Sequence, residues 1–64
     1  MTLSKRELEV ITLIADGRPD VEIGAALGIS RSTAHFHALN AIHKLGKSNR
    51  ASAVAEAVRR GIIA

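Results

Sequence analysis

Four glycines, Gly17, Gly28, Gly46 and Gly61, cut this chain into segments that each begin with a helix-capping residue. A glycine just past a helix takes the left-handed backbone conformation without the penalty a Cβ would bring, and so stops the helix there. Ser4 followed by Glu7 reads as a capping box, in which each side chain satisfies the other residue's free backbone N–H. Pro19 and Asp20 open the second segment, proline by fixing φ and aspartate by capping. Ser30 and Ser48 head the third and fourth. The spacing predicts four helices: one ending at Gly17, a brief one over about 21–27, a long one over 31–45, and one over about 49–60. In the first, Leu8, Ile11 and Ala15 recur at helical spacing, with Leu3, Val10 and Ile14 widening the apolar stripe. Ile29 is placed to plug the gap between two helices, and Ile62 and Ile63 to pack back on the body. The fold class is all-α, as one domain over 1–64.

With only 64 residues and no cysteine, the chain has a thin core and neither disulfides nor a Cys-based zinc site to support it. A pocket of several hundred cubic ångströms hardly fits in such a body. No carboxylate pair, nucleophile–base set or phosphate-cradling loop is present, so no enzymatic function and no cofactor are expected. A metal is not expected either, since His35 and His37 diverge on the helix and no histidine pair stands four residues apart. The longest mostly apolar run, Val10 to Ala15, falls far short of the roughly 20 residues that cross a membrane. A cytoplasmic protein without a membrane partner is the expectation. Charge is divided unevenly: residues 1–28 carry three Lys/Arg against five Asp/Glu, and residues 29–64 six against one. A basic second half is the footprint of a phosphate-binding face.

The stretch 20–39 combines a short helix, a tight turn at Gly28-Ile29-Ser30 and a longer helix, which makes a helix-turn-helix. In that motif the second helix enters the major groove of DNA while the first crosses the backbone. Stepping about 100° per residue along the long helix puts Ala34, Ala38, Ala41 and Leu45 on one stripe, with Ile42 at its edge. Ser32, Phe36, Leu39 and His43 fall opposite. The only aromatic residue thus points away from a core short of volume. Two explanations compete. Phe36 and Leu39 can touch thymine methyl groups in a major groove, flanked by Ser32, His35 and Asn40 at base edges. Alternatively they form a patch for a protein partner, making the chain a protein-interaction module. Arg31, Thr33, His43, Lys44 and Lys47 lie where they can meet phosphates, which favours DNA. Each has a plainer role open to it: His35 as a surface residue, Thr33 as part of a cap, Lys44 snorkelling from the core edge. His37 borders the core and reads as structural.

The fourth helix is apolar over about twice the arc, near 100°, that one small core needs. Its Ala51, Ala55 and Val58 flank is a candidate contact with a second copy. A homodimer of this kind would set two reader helices on the half-sites of a palindromic operator.

The run Leu3-Ser4-Lys5-Arg6-Glu7-Leu8-Glu9-Val10 resembles the L-T-x-R-E-x-E-V opening of LuxR-type (LuxR/FixJ/GerE) DNA-binding domains. Gly17, Glu22-Ile23, Leu27, Ile29-Ser30, Thr33, His37, Lys44-Leu45, Arg50, Ala53-Val54, Ala57 and Gly61-Ile62-Ile63 continue the likeness in order. Phe36-His37 with Asn40 is more similar to the quorum-sensing branch than to the response-regulator branch. The resemblance implies a tetrahelical helix-turn-helix effector domain, the third helix as DNA reader and the fourth as dimer contact. It implies His35, Phe36 and Leu39 at base-contacting positions, where relatives often carry long basic residues at the first and last. It further implies the output domain of a bacterial transcriptional regulator associated with the nucleoid, with RNA polymerase as a further candidate partner. Ala34 stands where the family usually has valine.

Overall fold

The computed structural model describes residues 2–64, so that Met1, the first residue of the expected span, lies outside the described residues. The helices are α1 (Lys5–Ala15), α2 (Asp20–Leu27), α3 (Arg31–Lys44) and α4 (Arg50–Arg59), with no strand among the described residues. None is long and apolar enough to cross a membrane.

The capping box at the start of α1 forms as expected. The Ser4 hydroxyl accepts from the Glu7 amide at 3.1 Å, and the Glu7 carboxylate accepts from the Ser4 amide at 2.8 Å. The buried stripe of this helix differs from the expected one. Glu7, Val10 and Ile11 are buried, whereas Leu8 is 38% exposed and Ala15 is exposed. Glu7 is held inward both by its cap and by Lys44 of α3, and Leu8, about 100° further round, is carried to the flank.

Two other helix starts are corrected. Pro19, not Asp20, is the N-cap of α2 and makes no side-chain cap bond. Asp20 is already helical, and its carboxylate reaches α3 and α4 instead of its own backbone. At α4 the cap is Asn49, whose side chain accepts from the Ser52 amide at 2.8 Å. Ser48 stands one residue too early to reach that amide. The start of α3 matches expectation, with Ser30 accepting from the Thr33 amide at 3.0 Å.

Between α2 and α3 the chain turns at Gly28, whose φ of 69° is the left-handed region that glycine adopts freely. The returning backbone comes so near Gly24 that a Cβ there would lie 2.7 Å from the Ile29 carbonyl oxygen. Ile29 itself packs against the core beneath the turn, as expected of a plug.

The core face of α3 is Ala34, Ala38 and Ala41, all fully buried, with Leu45 and Ile42 nearly so. Val10 and Ile23 close on Ala34 and Ala38 from one side. Ile11, Ala53 and Ala57 close on Ile42 and Leu45 from the other, with Ile62 and Ile63 folded back against them. With small side chains at the contact, helices approach toward the lower end of the usual range of about 8–10 Å. Ala38→Leu should therefore destabilise the chain by about 1–3 kcal/mol through overpacking, whereas Leu39→Ala next to it should shift stability by no more than about 0.5 kcal/mol. Urea unfolding of both variants checks this, and equal midpoints would contradict the close approach.

Candidate nucleic-acid interface

The outward side of α3 is set by its alanine stripe. Phe36 is 60% exposed and Leu39 51%, and Arg31, Ser32, Thr33, His35 and His43 are exposed beside them, with Asn40 half-buried at the margin. Phe36 is not loose on this face. The ring of His37, half-buried, meets it edge-on with centroids 5.6 Å apart. Thr33 receives a hydrogen bond from the Ser30 hydroxyl at 2.8 Å, which leaves the Thr33 hydroxyl proton available to an acceptor at the positive end of the helix.

The cations are less free than their number suggests. Of the six Lys and Arg of residues 29–64, five lie within 4 Å of a carboxylate, and Arg31 alone has no ion pair among the described residues. Lys44 donates to Glu7 at 2.8 Å across the start of α1, so its charge is paired at the core edge, neither snorkelling into water nor standing free for a phosphate. Arg59 and Arg60 both bond Glu56, and Lys47 lies 3.8 Å from the same carboxylate. Lys47, loosely held and 40% exposed, keeps its expected place beyond the last turn of α3. Arg31 and Lys47 thus bracket a helix of 14 residues, about 21 Å long.

One cluster was not anticipated from the sequence. Asp20 at the start of α2 accepts from Arg50 of α4 through Oδ1, and its Oδ2 lies 2.9 Å from Nδ1 of His35 on α3. Nothing in the local pattern signals it, because the three residues are brought together only by tertiary packing. Burial works against the charge of Asp20, but bonds from Arg50 and His35 outweigh it and hold the carboxyl below its ordinary value. Glu7 is similar: burial pushes it up, while Lys44 and the Ser4 amide bring it down further than that. Hydrogen bonds from Arg59 and Arg60 lower Glu56 from 4.5 to about 2.

The expected dimer residues Ala51, Ala55 and Val58 lie exposed on α4. Beside them an open groove of about 980 Å³, floored by Ile14, Val21, Ala51 and Val54, separates α4 from the α1–α2 turn.

A short helix, a glycine turn and a second helix with one face packed and one face open together define a helix-turn-helix DNA-binding domain. The luxR family of bacterial regulatory proteins matches residues 1–57, and the chain belongs to that family. The fold and family are those of a DNA-binding domain of transcriptional regulators. The transcriptional activator PhzR of Pseudomonas fluorescens is 42% identical over 60 residues, 94% of this chain and 25% of that protein. The transcriptional regulatory protein LiaR of Bacillus subtilis is 40% identical over 62 residues, 97% of this chain and 29% of LiaR. The solved structure of the transcription factor GerE superposes with a TM-score of 0.90 at 34% identity, covering 100% of this chain and 97% of the GerE chain. The chain spans about a quarter of the length of curated relatives such as PhzR.

The three lowered carboxyls fix the acid response. The unfolded chain takes up protons first as pH falls through the ordinary carboxyl range, 3.8 to 4.5, because the folded carboxyls titrate lower. Their stabilisation is thus complete above that range and drains as pH drops toward the folded values. The melting temperature should hold down to about pH 5 and fall below it, with a shallower fall in Glu56→Gln. A melting temperature that rises on acidification below about pH 5 would contradict the ion-pair assignments.

Proposed function

We propose that residues 1–64 act as a single unit that reads a specific double-stranded DNA sequence, with the helix-turn-helix of 20–39 delivering α3 to the major groove. The observation that carries this is the exposed Phe36 and Leu39 pair on a helix whose other face is closed by alanine. In this reading Phe36 and Leu39 meet thymine methyl groups, while Ser32, His35 and Asn40 meet polar base edges. Arg31, Thr33, His43 and Lys47 hold phosphates on either side, and Lys44 keeps the start of α1 in place. The open flank of α4, Ala51, Ala55 and Val58, pairs with a second copy, so that two α3 helices meet the half-sites of a palindrome about one DNA turn apart. PhzR is a transcriptional activator, which supports RNA polymerase as a further partner on the promoter, and the likeness of Phe36-His37 with Asn40 and Lys44-Leu45 to the quorum-sensing branch supports a regulator of that type. The absence of any described helix able to cross a membrane is compatible with work at the bacterial nucleoid in the cytoplasm.

A duplex selected from a random pool, labelled and titrated with the chain, tests the reading. Binding should fall steeply with salt, by about 0.9 in log affinity per phosphate contacted for each tenfold rise in concentration. Phe36→Ala should weaken binding to the selected duplex by about 1–3 kcal/mol with an unchanged melting temperature. Arg31→Ala should weaken all duplexes alike and reduce the salt slope by about one unit. No affinity for any duplex at low ionic strength would overturn the reading, and salt-insensitive capture of a protein by the Phe36 face would replace it with the protein-interaction module. Sedimentation on a palindromic duplex tests the pairing: Ala55→Glu should leave one copy bound where the unaltered chain places two. Single occupancy by the unaltered chain would remove the α4 contact.

A further inference from the structure

Among the side chains on the reader face, His35 is the one whose ring is held by residues from other helices. Its Nδ1 lies 2.9 Å from Oδ2 of Asp20, the first residue of α2, and 3.5 Å from Nη2 of Arg50, the first residue of α4. An ionised carboxylate can only accept a hydrogen bond and a guanidinium can only donate one. The carboxylate is the nearer partner, and Arg50 is already donating to its other oxygen. The proton on the neutral ring therefore sits at Nδ1, donated to Asp20. Nε2 has no hydrogen-bond partner among the described residues, and the side chain is 52% exposed. Beside it Asp20, Arg31, Ser32 and His35 line a shallow depression of about 300 Å³ at the N-terminal end of α3.

The charged groups around the ring are Asp20 from α2, Arg50 from α4 and Arg31 one turn earlier on α3. The nearby Arg18 is engaged with Asp16 and Glu22.

We propose that Asp20 is a positioning residue that sets which base His35 reads: by accepting the hydrogen bond from Nδ1–H it leaves Nε2 as an acceptor for an exocyclic amino group, N6 of adenine or N4 of cytosine. This rests on the reading of α3 as the helix in the major groove. Adenine and cytosine present amino donors on that edge, whereas guanine presents only the acceptors N7 and O6. Guanine and thymine, which offer Nε2 no donor on that edge, are therefore disfavoured at that position.

Two measurements test this separately. In the free chain labelled with ¹⁵N-histidine, imidazole NMR at about pH 8 should show the Nδ1–H tautomer for His35 and, in Asp20→Asn, a shift toward the Nε2–H tautomer that an untethered ring favours. An Nε2–H tautomer for His35 in the unaltered chain would overturn the proposal. Duplex selection at about pH 8 should then enrich adenine or cytosine over guanine at one position, by about three- to tenfold. His35→Ala should lose that preference and keep the rest of the site. Asp20→Asn should weaken it. A preference at that position that persists unchanged in His35→Ala or in Asp20→Asn would overturn the proposal. If the unaltered chain enriches no sequence while NMR finds Nδ1–H, the groove reading fails and the tautomer assignment stands on its own measurement.

Discussion

The close contact of α3 with its neighbours through Ala34, Ala38 and Ala41 governs the rest of the molecule. Three alanines, each fully buried, offer little volume, so the surrounding helices must come near to exclude water from them. Val10 and Ile23 approach from α1 and α2, and Ile11, Ala53 and Ala57 close the far end from α1 and α4. A helix pinned along its length on several sides cannot roll. Its opposite face is therefore presented as a fixed surface, and the exposure of Phe36 and Leu39 follows from what lies behind them. A larger core side chain on α3 would have moved the reader face along with the packing.

Ion pairs complete the placement at the helix ends, where apolar contact is thin. Lys44 and Glu7 join the end of α3 to the start of α1, and Arg50 and Asp20 join the starts of α4 and α2. A partly buried pair of this sort is weak evidence of net stability, since desolvation takes back much of the attraction. Its effect is geometric: with the Glu7 carboxylate accepting from both the Ser4 amide and Lys44, α1 has one rotation that satisfies every bond. The same pairing explains why a count of basic residues overstates the field offered to a duplex. Most of the second half's positive charge is neutralised within the fold, and the free charge is concentrated at Arg31, with Lys47 held only loosely.

Much of this was legible in the sequence. Glycine stops, capping serines and the three- and four-residue recurrence of small apolar residues are local signals, and they located all four helices and the inward stripe of α3. Where those signals competed, errors followed. Ser48 and Asn49 are both good caps, and only the register of α4 decides for Asn49. Leu8 has the better hydrophobicity for a core position than Glu7, yet Glu7 is inside because Lys44, distant in sequence, supplies the countercharge. The Asp20–His35–Arg50 cluster was invisible for the same reason. Its members belong to three helices, and no periodicity connects residues that meet only after the helices pack.

That cluster bears on how a face so poor in long polar side chains discriminates between sequences. In the proposed reading Phe36 and Leu39 would sense methyl groups and shape, which separates thymine from the other bases but leaves adenine, guanine and cytosine little distinguished. Ser32 donates and accepts through a rotatable hydroxyl, so it imposes no fixed pattern on its partner. A side chain contributes direction to recognition only when its own hydrogen-bond character is fixed beforehand, because otherwise it adapts to whichever base it meets. On α3 the residue so fixed is His35, and what fixes it is a carboxylate on α2 that is itself held by α4. If α3 is the groove helix, as proposed, its selectivity depends on the helices that stay outside the groove, through the same packing that turns its alanines inward.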